Sequence, residues 1–175
     1  MEILYTLQRL DVRLFMVVFR RGERRLLRPL ARAISRSADG YLYVLLPVAL
    51  WFTGAHSVPD LVLLLLCALI AERCLYWLLK NSLKRRRPME LMPDFRSIIV
   101  AADRFSFPSG HTSAAFLLAT ALTITYQEPA VAMFGWAGLV ALSRVILGVH
   151  YPGDTLAGAV MGSGIALFTA NQLGL

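Results

Sequence analysis

The sequence predicts an all-α, polytopic transmembrane helical bundle of about five spans, preceded by an N-terminal interfacial helix. Three observations carry that prediction. Hydrophobic residues fill 57% of the 175 positions and charged residues 17%, against about 45–50% and about 25% in soluble domains. Mean hydropathy is +0.60, and the apolar residues gather in long runs such as 61–70 and 130–142, as lipid-facing helices require. The 18 Lys and Arg are also clustered, with nine in residues 1–40, seven in 80–107, and Arg73 and Arg144 standing alone. A soluble globule and a disordered chain both fit this composition poorly. The length suits one unit, so residues 1–175 are read as a single domain, with 1–40 a basic interfacial region, 41–175 the bundle and 81–107 an active-site loop.

Each element follows from local pattern. In residues 2–20, Leu7, Leu10, Leu14, Phe15 and Val18 share a helix with Arg9, Asp11 and Arg13. Charges at that density favour lying in the interface over crossing the bilayer, and the stretch 20–36 could meet acidic headgroups. Residues 41–52, 61–79, 112–126, 129–149 and 155–170 are the candidate spans. Several are short, since fifteen helical residues rise about 22 Å against a hydrocarbon core of about 30 Å. Trp51, Trp77, Tyr41, Tyr43 and Tyr126 lie near span ends, where aromatic anchors belong, while Trp136 is read as packing. Gly158, Gly162, Ser163 and Gly164 would let a neighbouring helix approach the last span. Glu72 and Arg73, inside the second span, read as an internal pair. Cys67 and Cys74 lie about 10 Å apart along one helix, beyond disulfide reach.

Three polar clusters fall on one side of the membrane. The first is Lys80, six residues, then Arg87 and Pro88, with cations that can fold over an anion from a helix end. The second is Ser109, Gly110 and His111 after Pro108, at a helix start whose free N–H groups favour an anion; Pro108 and Ser109 equally suit a plain helix cap. In the third, Ser143 and Arg144 precede His150 by a short stretch, and Asp154 follows four residues later. There a carboxylate can hold one imidazole nitrogen as N–H and aim the other outward as a nucleophile, although Asp154 also suits the cap of the last helix.

In this order and spacing, the clusters resemble the three signature motifs of the type 2 phosphatidic acid phosphatase (PAP2) superfamily, here at 80–88, 108–111 and 143–154. Residues 1–40 add nothing diagnostic. The resemblance implies a PAP2/haloperoxidase-like helical fold and phosphoryl transfer through a phosphohistidine, with no cofactor and no metal. It implies His150 as nucleophile, Asp154 as its orienter and His111 as proton donor to the leaving oxygen. Lys80, Arg87, Ser109, the backbone of Gly110, and Arg144 would bind the phosphoryl oxygens. Many six-span members carry a further N-terminal transmembrane helix, which the charged first segment here does not match.

A site between helices at the membrane surface should receive a phosphate whose hydrocarbon tail stays in the bilayer. Phosphatidic acid, phosphatidylglycerol phosphate and undecaprenyl diphosphate all satisfy that geometry. A net charge of +7 borders apolar spans and so points to lipid phosphate, with nucleic acid not expected as a partner. The sequence leaves the oligomeric state open. Rival readings are a phosphotransferase using a polyprenyl diphosphate donor, and a non-catalytic binder of acidic lipids. The expected location is the inner (plasma) membrane. The positive-inside rule turns the basic, site-bearing face toward the cytoplasm, whereas the resemblance implies a periplasmic face for many bacterial members.

Overall fold

The computed structural model describes every residue except Met1, Glu23, Arg24, Pro93 and Ala102. The described residues form helices and connecting turns: α1 (Glu2–Gly22), α2 (Leu27–Ser37), α3 (Leu42–Phe52), α4 (Val58–Leu83), α5 (Pro88–Leu91), α6 (Gly110–Tyr126), α7 (Ala132–Ile146) and α8 (Pro152–Leu173), with a 3-10 turn at Glu128–Val131. The all-helical prediction is therefore met, with shifted boundaries. The span expected over 129–149 divides into that 3-10 turn, α7 and a tight turn at 147–151. Helices α4 and α8 are long and apolar enough to cross a bilayer by themselves; α3 and α7 are shorter apolar helices of 11 and 15 residues. Pro93, expected to break the loop, lies outside the described residues.

Helix α6 forms the centre. Leu117, Leu118, Ala121 and Leu122 on α6 meet Leu61, Leu64, Leu65 and Ala68 on α4, and Ala166 and Ala170 on α8. Lipid tails are as apolar as leucine, so close packing and interhelical hydrogen bonds hold such contacts in a bilayer. The α6–α8 seam shows both. A Cβ on Gly158 would lie 2.6 Å from the Ser109 carbonyl oxygen, and one on Gly162 would lie 2.0 Å from that of Ser113. The Thr120 hydroxyl donates to Ser163 Oγ across 3.1 Å. Gly164, read with this series in the sequence, has open space beside it. Away from the centre, Leu63, Leu66, Ile70, Leu139, Leu142, Val160, Leu167 and Phe168 point outward, an apolar belt suited to lipid.

Trp51, Trp77 and Tyr41 are exposed, as interfacial anchors should be, and Trp136 packs inward and donates to Ser37 Oγ at 2.9 Å. The hydroxyls of Tyr43 and Tyr126 are instead buried, so these two turn into the protein rather than to the membrane surface. Helix α1 has two faces. Phe15 and Phe19 pack on Phe95, with Phe15 also against Tyr151, while Leu7, Leu10, Leu14 and Val17 stay exposed. That outer face matches the expected interfacial helix; the inner face ties the N-terminal region to the end of the bundle that carries the polar clusters.

Candidate active site

The end of α4, the start of α6, the end of α7 and the start of α8 come together at one end of the bundle, and each brings part of a sequence cluster. Between α7 and α8, the turn 147–151 carries His150, which is 3% exposed. Burial pushes its pKa down to about 4; Asp154 opposes the shift, and the charges of Arg144 and Arg87 add to it. The ring is thus neutral near pH 7, the form that can attack an electrophile.

Of the two roles the sequence leaves open for Asp154, the structure shows the cap of α8, with the carboxylate near His150 but not bonded to it. One carboxylate oxygen accepts the Tyr151 N–H at 2.9 Å, completing a capping box at the start of α8. The same oxygen, Oδ2, lies 3.7 Å from His150 Nδ1, too far for a hydrogen bond. The other oxygen receives Arg85 Nη1 at 2.6 Å.

Arg87 and Arg144 supply two nearly buried guanidiniums. Arg87 Nη1 donates to the Val149 carbonyl at 2.5 Å, which fixes the loop after α4 to the turn beside His150. Arg144 Nη1 donates to Ser35 Oγ at 2.6 Å, and its Nε is buried with no partner among the described residues. Lys80 Nζ donates to the Tyr76 hydroxyl at 2.6 Å and lies 2.8 Å from Asp103 Oδ2.

At the second cluster, Ser109 occupies the cap position of α6 by its backbone, but its side chain does not cap. Its Oγ lies 3.0 Å from Thr112 Oγ1, and its N–H donates to the Asp154 carbonyl at 3.0 Å. Gly110 has the Tyr76 ring against its Cα, where a Cβ would sit 2.9 Å from a ring carbon. His111 Nε2 lies 2.8 Å from Asp39 Oδ1.

A cavity of about 500 Å³ opens among these groups, lined by Arg87, Gly110, His111, Arg144 and His150, and also by Asp39, Tyr43, Arg73, Tyr76 and Asp103. Of the residues expected from sequence, Lys80, Ser109 and Asp154 stand behind the cavity wall, each 5% exposed or less. Two carboxylates face the cations. Asp103 is bound by Lys80, Arg87 and the Tyr76 hydroxyl. Although burial acts to raise its pKa, those hydrogen bonds and charges hold it at about 2.

Residues 1–40, which add nothing diagnostic to the motifs, nevertheless contact the site. Asp11 binds Arg85 at 2.6 Å and accepts the Gly153 N–H at 2.8 Å, Ser35 holds Arg144, and Asp39 holds His111. None of these residues matches a local motif. The sequence offers only a weak signal for them, since Asp11 and Asp39 are two of four acids, with Glu2 and Glu23, set among nine arginines in residues 1–40.

The arrangement defines a class of protein: a bundle of largely apolar helices with a cavity at one end, where a neutral imidazole meets guanidinium groups. Comparison then fixes the family. The chain belongs to the PAP2 superfamily, whose model matches residues 61–174. The crystal structure of Aquifex aeolicus LpxE is similar with a TM-score of 0.80 and 26% identity, covering 93% of this chain and 95% of that one. A decaprenylphosphoryl-5-phosphoribose phosphatase of Mycobacterium tuberculosis is 32% identical over 132 residues, 63% of this chain and 69% of its own length. The lipid A 1-phosphatase of Rhizobium etli is 33% identical over 97 residues, 53% of this chain and 42% of its own. The matched segments thus range from under half to about two-thirds of these relatives' lengths.

Proposed function

We propose that this protein is an integral membrane lipid phosphatase, cleaving a phosphate monoester or diphosphate of a lipid through a phosphohistidine on His150. The observation that carries the reading is one cavity holding buried His150 together with His111, Arg87 and Arg144. The names of the relatives, phosphatases of lipid A and of a decaprenyl phosphosugar, support a lipid phosphate as substrate and the membrane as its source.

In the first step the His150 nitrogen turned away from Asp154, Nε2, attacks phosphorus. The P–N bond forms, the P–O bond to the lipid breaks, and His111 gives its proton to the departing oxygen. Arg87, Arg144 and the Gly110 N–H receive the non-bridging oxygens, where charge builds during transfer; Lys80 adds its positive charge from behind the cavity wall, and Ser109 holds the start of α6 in place. Asp154 stabilises the ring as it gains charge, with the 3.7 Å separation closing when the site is occupied, as catalytic hydrogen bonds tighten on substrate binding. In the second step His111, now neutral, takes a proton from water; the water oxygen bonds to phosphorus, the P–N bond breaks and inorganic phosphate leaves.

Phosphatidic acid, phosphatidylglycerol phosphate and undecaprenyl diphosphate are the substrates to assay in detergent. Phosphate release from at least one is expected, with His150→Ala lowering it by about 10³-fold or more. Radiolabelled donor should leave an acid-labile adduct on the wild-type protein and none on the variant. Turnover unaffected by His150→Ala would end the phosphohistidine reading. Label found on a lipid acceptor instead of in free phosphate would make the protein a phosphotransferase.

A further inference from the structure

Arg73 lines the same cavity as Arg87 and Arg144. It precedes Lys80 by seven residues on α4, about 10 Å farther from that helix end, toward the bilayer interior. Glu72, fully buried, binds it side-on: Arg73 Nη2 donates to Glu72 Oε1 at 2.6 Å and Nε to the other oxygen. That grip fixes the guanidinium plane, yet the side chain remains 51% exposed and lines the cavity shared with His111 and His150. The guanidinium carbon lies 4.6 Å from the Tyr76 ring centroid, and Lys80 Nζ lies 4.4 Å from the same centroid. Tyr76 is therefore a common floor under both cations.

A second observation points to a ligand. The Tyr43 hydroxyl, contributed by α3, is buried without a hydrogen-bond partner among the described residues, and Tyr43 lines this cavity beside Arg73. An unpaired buried hydroxyl is costly unless something fills its place. Two donors, one charged and one neutral, thus converge on the membrane side of the phosphoryl cup.

Arg73 is half-exposed on the wall of the cavity that holds His150, so a lipid whose tail leaves that cavity along α4 passes it. We infer that Arg73 and Tyr43 form a second anion subsite, which takes a second phosphate placed on the lipid side of the one being cleaved. Such a group is the inner phosphate of a polyprenyl diphosphate or the phosphodiester of phosphatidylglycerol phosphate; phosphatidic acid has none. The inference rests on the lipid-phosphatase reading and narrows its substrate class.

The test compares kcat/KM on a polyprenyl diphosphate, phosphatidylglycerol phosphate and phosphatidic acid for the full-length protein in detergent. The variants are Arg73→Lys, Tyr43→Phe and the double variant Glu72→Gln/Arg73→Gln, which leaves no buried carboxylate unpaired. The double variant should lower the preference for a two-phosphate over a one-phosphate lipid about tenfold, the scale of one charged hydrogen bond. Arg73→Lys should restore part of the preference and Tyr43→Phe should lower it severalfold. Whichever two-phosphate lipid loses the advantage identifies the inner group. Preference unchanged within twofold, with phosphatidic acid still hydrolysed, overturns the subsite and leaves the phosphatase reading standing. Failure of the wild type on all three lipids overturns both.

Discussion

The niche around His150 keeps its imidazole uncharged at neutral pH, whereas Asp103, in the same cavity, is held ionised. For His150 the consequence for stability has a definite sign. The unfolded chain takes up a proton near the ordinary histidine value of about 6.5, while the folded ring resists until about 4. Stability from this group is full above about pH 6.5 and is lost as pH falls toward about 4. With three histidines in the chain, ring-labelled protein gives few resonances, and the one missing in His150→Gln should titrate near 4; a midpoint at 6 or above would show that the niche is open to water. Asp103, ionised across the working range, occupies two of the cations that a phosphoryl group would need. Asp103→Asn should therefore tighten inhibition by inorganic phosphate or orthovanadate roughly fivefold, a modest effect because the carboxylate is partly solvated; weaker inhibition would mean that Asp103 organises the cations instead of competing for them. The sequence shows Lys80, Arg87, His111, His150 and Asp154 because their spacings are local. It hides Asp103 and Asp39, whose meaning depends on partners brought near only by folding: His111 is 72 residues from Asp39.

Helices carry this information between distant parts of the chain. The apolar runs located α4 and α8 to within three or four residues at each end, because each presents a long apolar surface to lipid. They placed the start of α7 three residues early, since Ala130 and Val131 join the apolar run while residues 128–131 close a 3-10 turn. The inward role of α1 was less legible, because one side of that helix satisfies the interfacial pattern while the other carries Asp11, Phe15 and Phe19. Asp11 touches both Arg85, which holds Asp154, and the Gly153 N–H in the first turn of α8. The element therefore steadies the carboxylate beside His150 from outside the bundle. Asp11→Asn weakens the grip on Arg85 without changing shape. It should lower kcat about tenfold with KM little changed, while Arg9→Gln, on the exposed side of the same helix, leaves both alone. A matching rise in KM would place Asp11 in lipid binding instead.

Across the molecule, the polar chemistry and nearly all the cations collect at one end. The turns at the other end, residues 53–57 and 127–131, contain no Lys or Arg. Part of the excess belongs to the site itself: Lys80, Arg85, Arg87 and Arg144 are held by carboxylates, carbonyls or hydroxyls within it. Such cations serve an anion and need not report how the chain was inserted. Arg9, Arg13, Arg20, Arg21 and Arg36 are of another kind, lying on α1 and α2 outside the cavity. Cations in short segments flanking spans set orientation, and on that ground we propose that the site faces the cytoplasm, where anionic headgroups would add about 1 kcal/mol of attraction per Lys or Arg near the surface. Val100, 95% exposed on the loop at the site face, reports on it directly. In a Cys67→Ser/Cys74→Ser background, Val100→Cys should resist a membrane-impermeant maleimide in intact cells and react after permeabilisation. Labelling of intact cells would put the cup on the outer face, and the arginines of α1 and α2 would then act on lipids of that leaflet instead of directing insertion.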